Sequence, residues 1–135
     1  MTGTPTETGP LGTFLGGAEV SWPSPGTVRA TGRLRQGFAG FDGHFPGKPI
    51  LAGAFQLEMA AILATSAVPE GWTLSEVRHA RFRRMMSPGD EVDITIATGI
   101  AGEDRIEVKV SIGSGGARAC QATLSFGGPP GASRG

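Results

Sequence analysis

A histidine in a Gly/Pro-rich turn, His44, is followed fourteen residues later by a carboxylate, Glu58, in the stretch "FDGHFPGKPILAGAFQLEMAAILA". A carboxylate among Phe55, Leu57, Met59, Ile62 and Leu63 is costly unless it is paired, hydrogen-bonded or protonated. Burial favours the neutral acid, which is the form a general acid needs. An imidazole, with an unperturbed pKa of about 6.5, suits a base that takes protons near neutral pH. Gly53 stands where a helix is expected to begin, and unpaired N–H groups with the helix dipole favour developing negative charge there. Base, acid and oxyanion donor together fit proton chemistry beside the carbonyl of a ketone or thioester. Residue types alone leave two plainer readings open. His44 could only hydrogen-bond backbone in its turn, and Glu58 could be neutralised by an interface arginine.

Those side chains need elements to hold them. Residues 13–22, "TFLGGAEVSW", and 27–35, "TVRATGRLR", read as short strands around a "PSPG" turn, although Gly16 and Gly17 weaken the first. Pro46 and Pro49 exclude a helix from residues 36–52. A helix is expected from about Gly53 to Ala67, with Pro69 and Gly71 to end it. Between Ala52 and Ala64 only Gln56 and Glu58 are strongly polar, so this helix must be enclosed on nearly all sides.

Beyond residue 72 the pattern changes to a period of two. Val92, Ile94 and Ile96 alternate with Glu91, Asp93 and Thr95, and Ile106, Val108 and Val110 alternate with Glu107 and Lys109. The turns "SPGD", "AGED" and "SGGA" separate half-buried antiparallel strands. One enclosed helix with consecutive hairpin strands gives an α+β class: an antiparallel β-sheet wrapped around a long central α-helix. The expected organisation is a flexible tail over 1–12, one domain over 13–126 and a second tail over 127–135.

Composition narrows the function. The chain has 135 residues, enough for one domain with a real core, and 12 basic residues balance 12 acidic ones. No global field favours nucleic acid or an anionic membrane. No apolar segment approaches the roughly 20 residues that cross a bilayer, and "MTGTPTETGP" has no basic start or apolar run of a secretory signal. The single cysteine, Cys120, reads as a buried thiol. A soluble, cytoplasmic setting is expected. His44, His79 and Cys120 lack metal-ligand spacing, and His79 reads as a strand histidine.

"GHFPGKPILAGAFQLEMA" resembles the signature of the hot-dog-fold 3-hydroxyacyl-[acyl carrier protein] dehydratases. In that family a His-Phe-Pro-Gly turn precedes a Pro-Gly helix start, and a carboxylate follows fourteen residues after the histidine. "ARFRRMMSPGDEV" and "ARACQATLSF" are similar to the family's later strand with its Pro-Gly-Asp turn and to its final strand. The likeness covers roughly residues 29–126. It implies a hot-dog fold in which His44 acts as the base, Glu58 protonates the departing 3-hydroxyl, and the Gly53 N–H holds the thioester oxygen. The product would be a trans-2-enoyl thioester on acyl carrier protein, in fatty acid or polyketide-type biosynthesis. No metal or redox cofactor is implied, because side chains carry both proton transfers. The family's histidine and carboxylate come from opposite subunits, so a homodimer, or a heterodimer with a related hot-dog subunit, is implied.

Two positions depart from the pattern. Ala52 replaces the proline before Gly53, and Ile62 stands where relatives often carry a glutamine one turn after the acid. A non-catalytic partner subunit, or an acyl-thioester-binding protein, is therefore the first rival. A hot-dog thioesterase is the second, and the His-Phe-Pro-Gly turn argues against it. Arg78, Arg81, Arg83 and Arg84 are either a basic rim that steers an acidic carrier protein or a solvated strand face.

Overall fold

Alternation with a period of two becomes a sheet whose two faces differ. In the computed structural model, which describes residues 2–5, 14–35, 53–83, 86–87 and 89–128, the elements are β1 (Thr2–Pro5), β2 (Leu15–Ser24), β3 (Thr27–Leu34), α1 (Gly53–Ala64), β4 (Thr73–Phe82), β5 (Glu91–Gly102), β6 (Arg105–Ser114) and β7 (Ala117–Gly127). They form one antiparallel sheet in the order β1-β2-β3-β5-β6-β7-β4. Thr2–Pro5, inside the stretch expected as a tail, pairs with β2. Gly127, expected to open the other tail, closes β7, and the Gly128 N–H donates to Asp104 O at 3.1 Å.

Register sorts side chains into rows. Val28, Ile96, Val110 and Ala122 lie side by side across β3, β5, β6 and β7, and so do Ala30, Ile94, Ile112 and Cys120. All eight are buried, which makes this the inner face. The alternate rows carry Arg29, Thr95, Ser111 and Gln121, then Thr27, Ala97, Lys109 and Thr123; they form the outer face. Tight hairpins hold the register. Gly115 and Gly116 both have positive φ (61° and 83°) between β6 and β7, as a two-residue turn that follows strand twist requires. Gly32 serves a different need: a Cβ there would meet Leu15 Cβ at 3.0 Å and Gly16 O at 3.1 Å, so β2 can approach β3 only because no side chain intervenes.

The chain enters α1 after β3 and leaves it for β4, at the far edge beside β7. The helix therefore crosses the inner face. Gln56, Met59, Ala60, Leu63 and Ala64 form its buried stripe, with the i, i+3, i+4, i+7, i+8 spacing of one helical face. The helix stops at Ala64 rather than Ala67. Ser66 N and Ala67 N donate to Leu63 O and Ala64 O, three residues back, at 3.1 and 2.9 Å. The Thr65 and Ser66 hydroxyls take Ile62 O and Leu63 O at 2.6 Å each. These short-range bonds tighten the last turn and satisfy its carbonyls without further α-helix.

Cys120 faces the core with 0% exposure. Burial pushes its thiol up from 9.0 to about 11. The folded chain thus holds this proton more tightly than the unfolded chain, so stability is lost as pH rises from about 9 towards about 11. The native chain is expected to resist a thiol reagent near pH 8, and Cys120→Ala to flatten the alkaline decline in melting temperature.

Candidate active site

Glu58 projects from the side of α1 away from the sheet and is exposed in the protomer. This corrects the expectation of a helix enclosed nearly all round. The sheet covers one stripe of α1, while Leu57, Ala61 and Ile62 remain half-buried beside Glu58. A single sheet can bury only the face of a helix that lies on it, so the described residues of one chain leave the opposite face incomplete.

The inner face continues beyond the helix. Leu74, Val77 and Phe82 on β4 lie opposite Phe126, Leu124 and Cys120 on β7. These β7 neighbours are buried, and their β4 counterparts are 42%, 39% and 47% exposed. An edge strand with apolar inner residues and free backbone groups is a template for pairing with another chain. The unfinished helix face and the unfinished sheet edge are on the same side of the molecule.

Gly53 is the first residue of α1, so its N–H belongs to the helix-terminal donors without an intrahelical acceptor. His44 lies outside the described residues, and its separation from Glu58 is not part of the described geometry. The Pro-Gly-Asp turn is locked to the strand that leads towards the histidine segment. Gly89 N donates to Leu34 O at 2.8 Å, Leu34 N to Asp90 O at 2.9 Å, and Arg33 Nη1 to Gly89 O at 3.1 Å. Asp90 Oδ2 accepts from Ser87 N at 2.9 Å, a local side-chain bond that stabilises the turn. In the described geometry the motif anchors backbone.

Gln56 is a feature that sequence reasoning passed over. It is 2% exposed, and its Oε1 finds no hydrogen-bond donor among the described residues. Leaving such an acceptor buried and unmet costs about 1–3 kcal/mol. Its spacing of three and four residues from Met59 and Ala60 is the signal that could have found it. Among the described residues, no cluster of three or more His, Cys, Asp or Glu side chains could hold a metal ion, and no helix is long and apolar enough to cross a membrane.

The basic rim divides on inspection. Arg78 is engaged by Glu107 in a close ion pair and by Glu76 at 3.7 Å, so it is not free to steer a partner. Among the described residues, Arg83 Nη2 reaches Gln121 Oε1 at 3.5 Å. Arg84 lies outside the described residues.

Comparison with known proteins supplies the family. A profile of the ApeI-like proteins, described as ApeI dehydratase, matches residues 22–121. This chain belongs to the ApeI-like dehydratase family. Relatives carrying the name 3-hydroxyacyl-[acyl-carrier-protein] dehydratase FabZ include those of Latilactobacillus sakei, 40% identical over 96 residues, and Clostridium acetobutylicum, 34% identical over 97 residues. Each alignment covers 64% of this chain and 66% of the relative, so the ApeI-like chain spans about two thirds of the length of the curated relatives it matches.

Solved structures agree on the hot-dog fold. The dehydratase heterocomplex ApeI:P from Xenorhabdus doucetiae superimposes with a TM-score of 0.67 at 19% identity, over 80% of this chain and 93% of that one. A hypothetical thioesterase with coenzyme A from Streptococcus pneumoniae gives 0.65 at 14% identity, over 83% and 88%. At such identities the ApeI-like chain shares architecture with both, and the architecture does not choose between their reactions.

Proposed function

We propose that the chain dehydrates a 3-hydroxyacyl thioester carried on acyl carrier protein to the trans-2-enoyl thioester, at a site completed by a second hot-dog subunit. The observation that carries this reading is Glu58 on the uncovered stripe of α1, beside the exposed inner face of β4, in a chain whose family is a dehydratase family. His44 takes the proton from C2, the C2–H electrons form the C2=C3 bond, and Glu58 gives its proton to the 3-hydroxyl as the C3–O bond breaks. Water leaves, and the enoyl thioester remains. The Gly53 N–H holds the thioester oxygen while negative charge builds on it. A partner laid along β4 would cover Leu57, Ala61 and Ile62 and exclude water from Glu58, giving the carboxyl the apolar surroundings that general acid work favours.

A second reading has its own support. The ApeI:P neighbour is named as a heterocomplex, so the second subunit could be a related hot-dog chain rather than another copy, with this chain completing the partner's site. Cytoplasmic location goes with either reading, since acyl carrier thioesters are cytoplasmic substrates in the family resembled.

Purified chain incubated with a 3-hydroxyacyl carrier thioester is expected to remove the mass of one water from the carrier species. Activity from a single kind of chain supports the homodimer. Activity only after a second hot-dog chain is added supports the heterodimer. Free thiol with no enoyl product would instead point to a thioesterase and overturn dehydration.

A further inference from the structure

Away from α1, the outer face of the sheet carries a groove of about 450 Å³ where β4, β7, β6 and β5 run side by side. Three basic side chains line it: Arg81 on β4, Lys109 on β6, and His79. Arg81 lies in one row with Gln121, Ser111 and Thr95, and Lys109 lies in the next row with Thr123. Two strand spacings, about 10 Å in all, separate the β4 and β6 backbones, a gap that long Arg and Lys side chains can close around a small ion.

His79 is brought to this groove by a backbone irregularity. From Arg78 to Arg81 the chain advances three residues while its partner β7 advances two, from Thr123 to Gln121. One extra residue is therefore bulged out of β4. His79 adopts φ 54° there, a left-handed conformation uncommon outside glycine. Bulges of this kind re-aim a side chain, and a strained non-glycine residue is a pointer to function.

The charge around the groove is unbalanced. The two nearest outer-face carboxylates on β5 and β6 are already occupied, Asp93 by Arg29, and Glu107 by Arg78 and Arg105. Among the described residues, no Asp or Glu lines the groove and neither Arg81 nor Lys109 has an ion-pair partner. Ser111, Thr95 and Thr123 add hydroxyls. Gln121 receives Arg83 on its Oε1 and keeps its amide N–H groups to donate. The larger outer-face groove near Gly16 and Arg118 does not share this character, because Glu91 and Asp93 line it.

We propose that this groove is a binding site for a phosphate group, either free phosphate or the phosphate of a small ester, held by Arg81, Lys109 and His79. Arginine and lysine meet tetrahedral oxyanions with charge-assisted hydrogen bonds, and an imidazole offers an N–H in either protonation state. The site is on the opposite face from Glu58 and does not depend on the dehydratase reading.

The chain has two histidines, so its imidazole NMR spectrum contains two ring sets, and His79→Gln assigns the one that matters. Inorganic phosphate titrated into the full chain at constant ionic strength is expected to move the His79 ring signals along a saturating curve. Arg81→Gln with Lys109→Gln should raise the midpoint at least about tenfold while the fold, read by circular dichroism, is unchanged. A repeat with pantetheine 4′-phosphate separates the sources: a lower midpoint than inorganic phosphate assigns the groove to an organic ester, and an equal one to the free ion. A non-saturating drift that sodium chloride reproduces, or an unchanged midpoint in the double variant, would overturn the proposal.

Discussion

His44→Ala and Glu58→Gln are each expected to lower the rate of water loss from a 3-hydroxyacyl carrier thioester by about 10²–10⁴-fold, the range that general acid–base groups contribute. Glu58→Gln conserves volume, and the native mass and melting profile of both variants should stay at parental values. The more telling result concerns the two variants together. If the base of one site and the acid of the same site come from different chains, an equal mixture refolded from denaturant forms mixed dimers in half of the population. Each mixed dimer has one intact site and one doubly altered site, so about one quarter of the parental activity returns. If base and acid come from the same chain, no intact site can form and nothing returns. Full activity in one variant would remove that residue from the mechanism, and full activity in both would remove the pair.

Charging the open edge is expected to have an effect of similar size by a different route. Leu74, Val77 and Phe82 point to the inner side of β4 and are 39–47% exposed. Covering the exposed part of such side chains contributes roughly 1 kcal/mol each, which is several kcal/mol once both chains are counted. Val77→Arg with Phe82→Arg replaces that gain with two buried, unpaired charges. In the proposed dimer the dissociation constant should rise on the order of 10³-fold or more, with native mass falling to that of one chain. Activity should disappear with it although His44 and Glu58 are untouched. The protomer should still fold, because these residues lie outside its buried core. Activity that survived in a monomer would separate catalysis from the β4 edge.

Much of the architecture was legible in local pattern. Val92-Ile94-Ile96 and Val108-Val110 announced their faces through a period of two, because a strand turns each successive side chain to the opposite side. The "SGGA" turn announced its hairpin through two glycines that accept positive φ. Helix α1 was recognisable, though its end was placed three residues late. Whether Thr65, Ser66 and Ala67 continue an α-helix or close it with bonds to the third residue back is decided by competing hydrogen bonds of similar strength, which composition does not rank.

The candidate site was half legible. Residue types and the interval between His44 and Glu58 suggested proton chemistry, and the resemblance they carry led to the family that the profile match then established. The surroundings of Glu58 were read less well. An apolar run says that a helix wants cover on all sides and cannot say which cover its own chain provides. The groove around His79 was not legible at all. It depends on β4 lying next to β7, some 50 residues away in a pair such as Ser75 and Ser125, and on Arg78 reaching Glu107, 29 residues on.

By itself, then, the amino-acid order determined which segments become strands and helix, and it nominated the side chains proposed to move protons, because both readings follow from neighbours a few residues apart. Only the tertiary structure decided that the sheet covers one stripe of α1 and leaves Glu58 exposed, that β4 lies at the end of the described sheet, and that three basic side chains line an outer-face groove without a carboxylate among the described residues. Each of those depends on strand order and register, which arise when distant segments compete for the same partners.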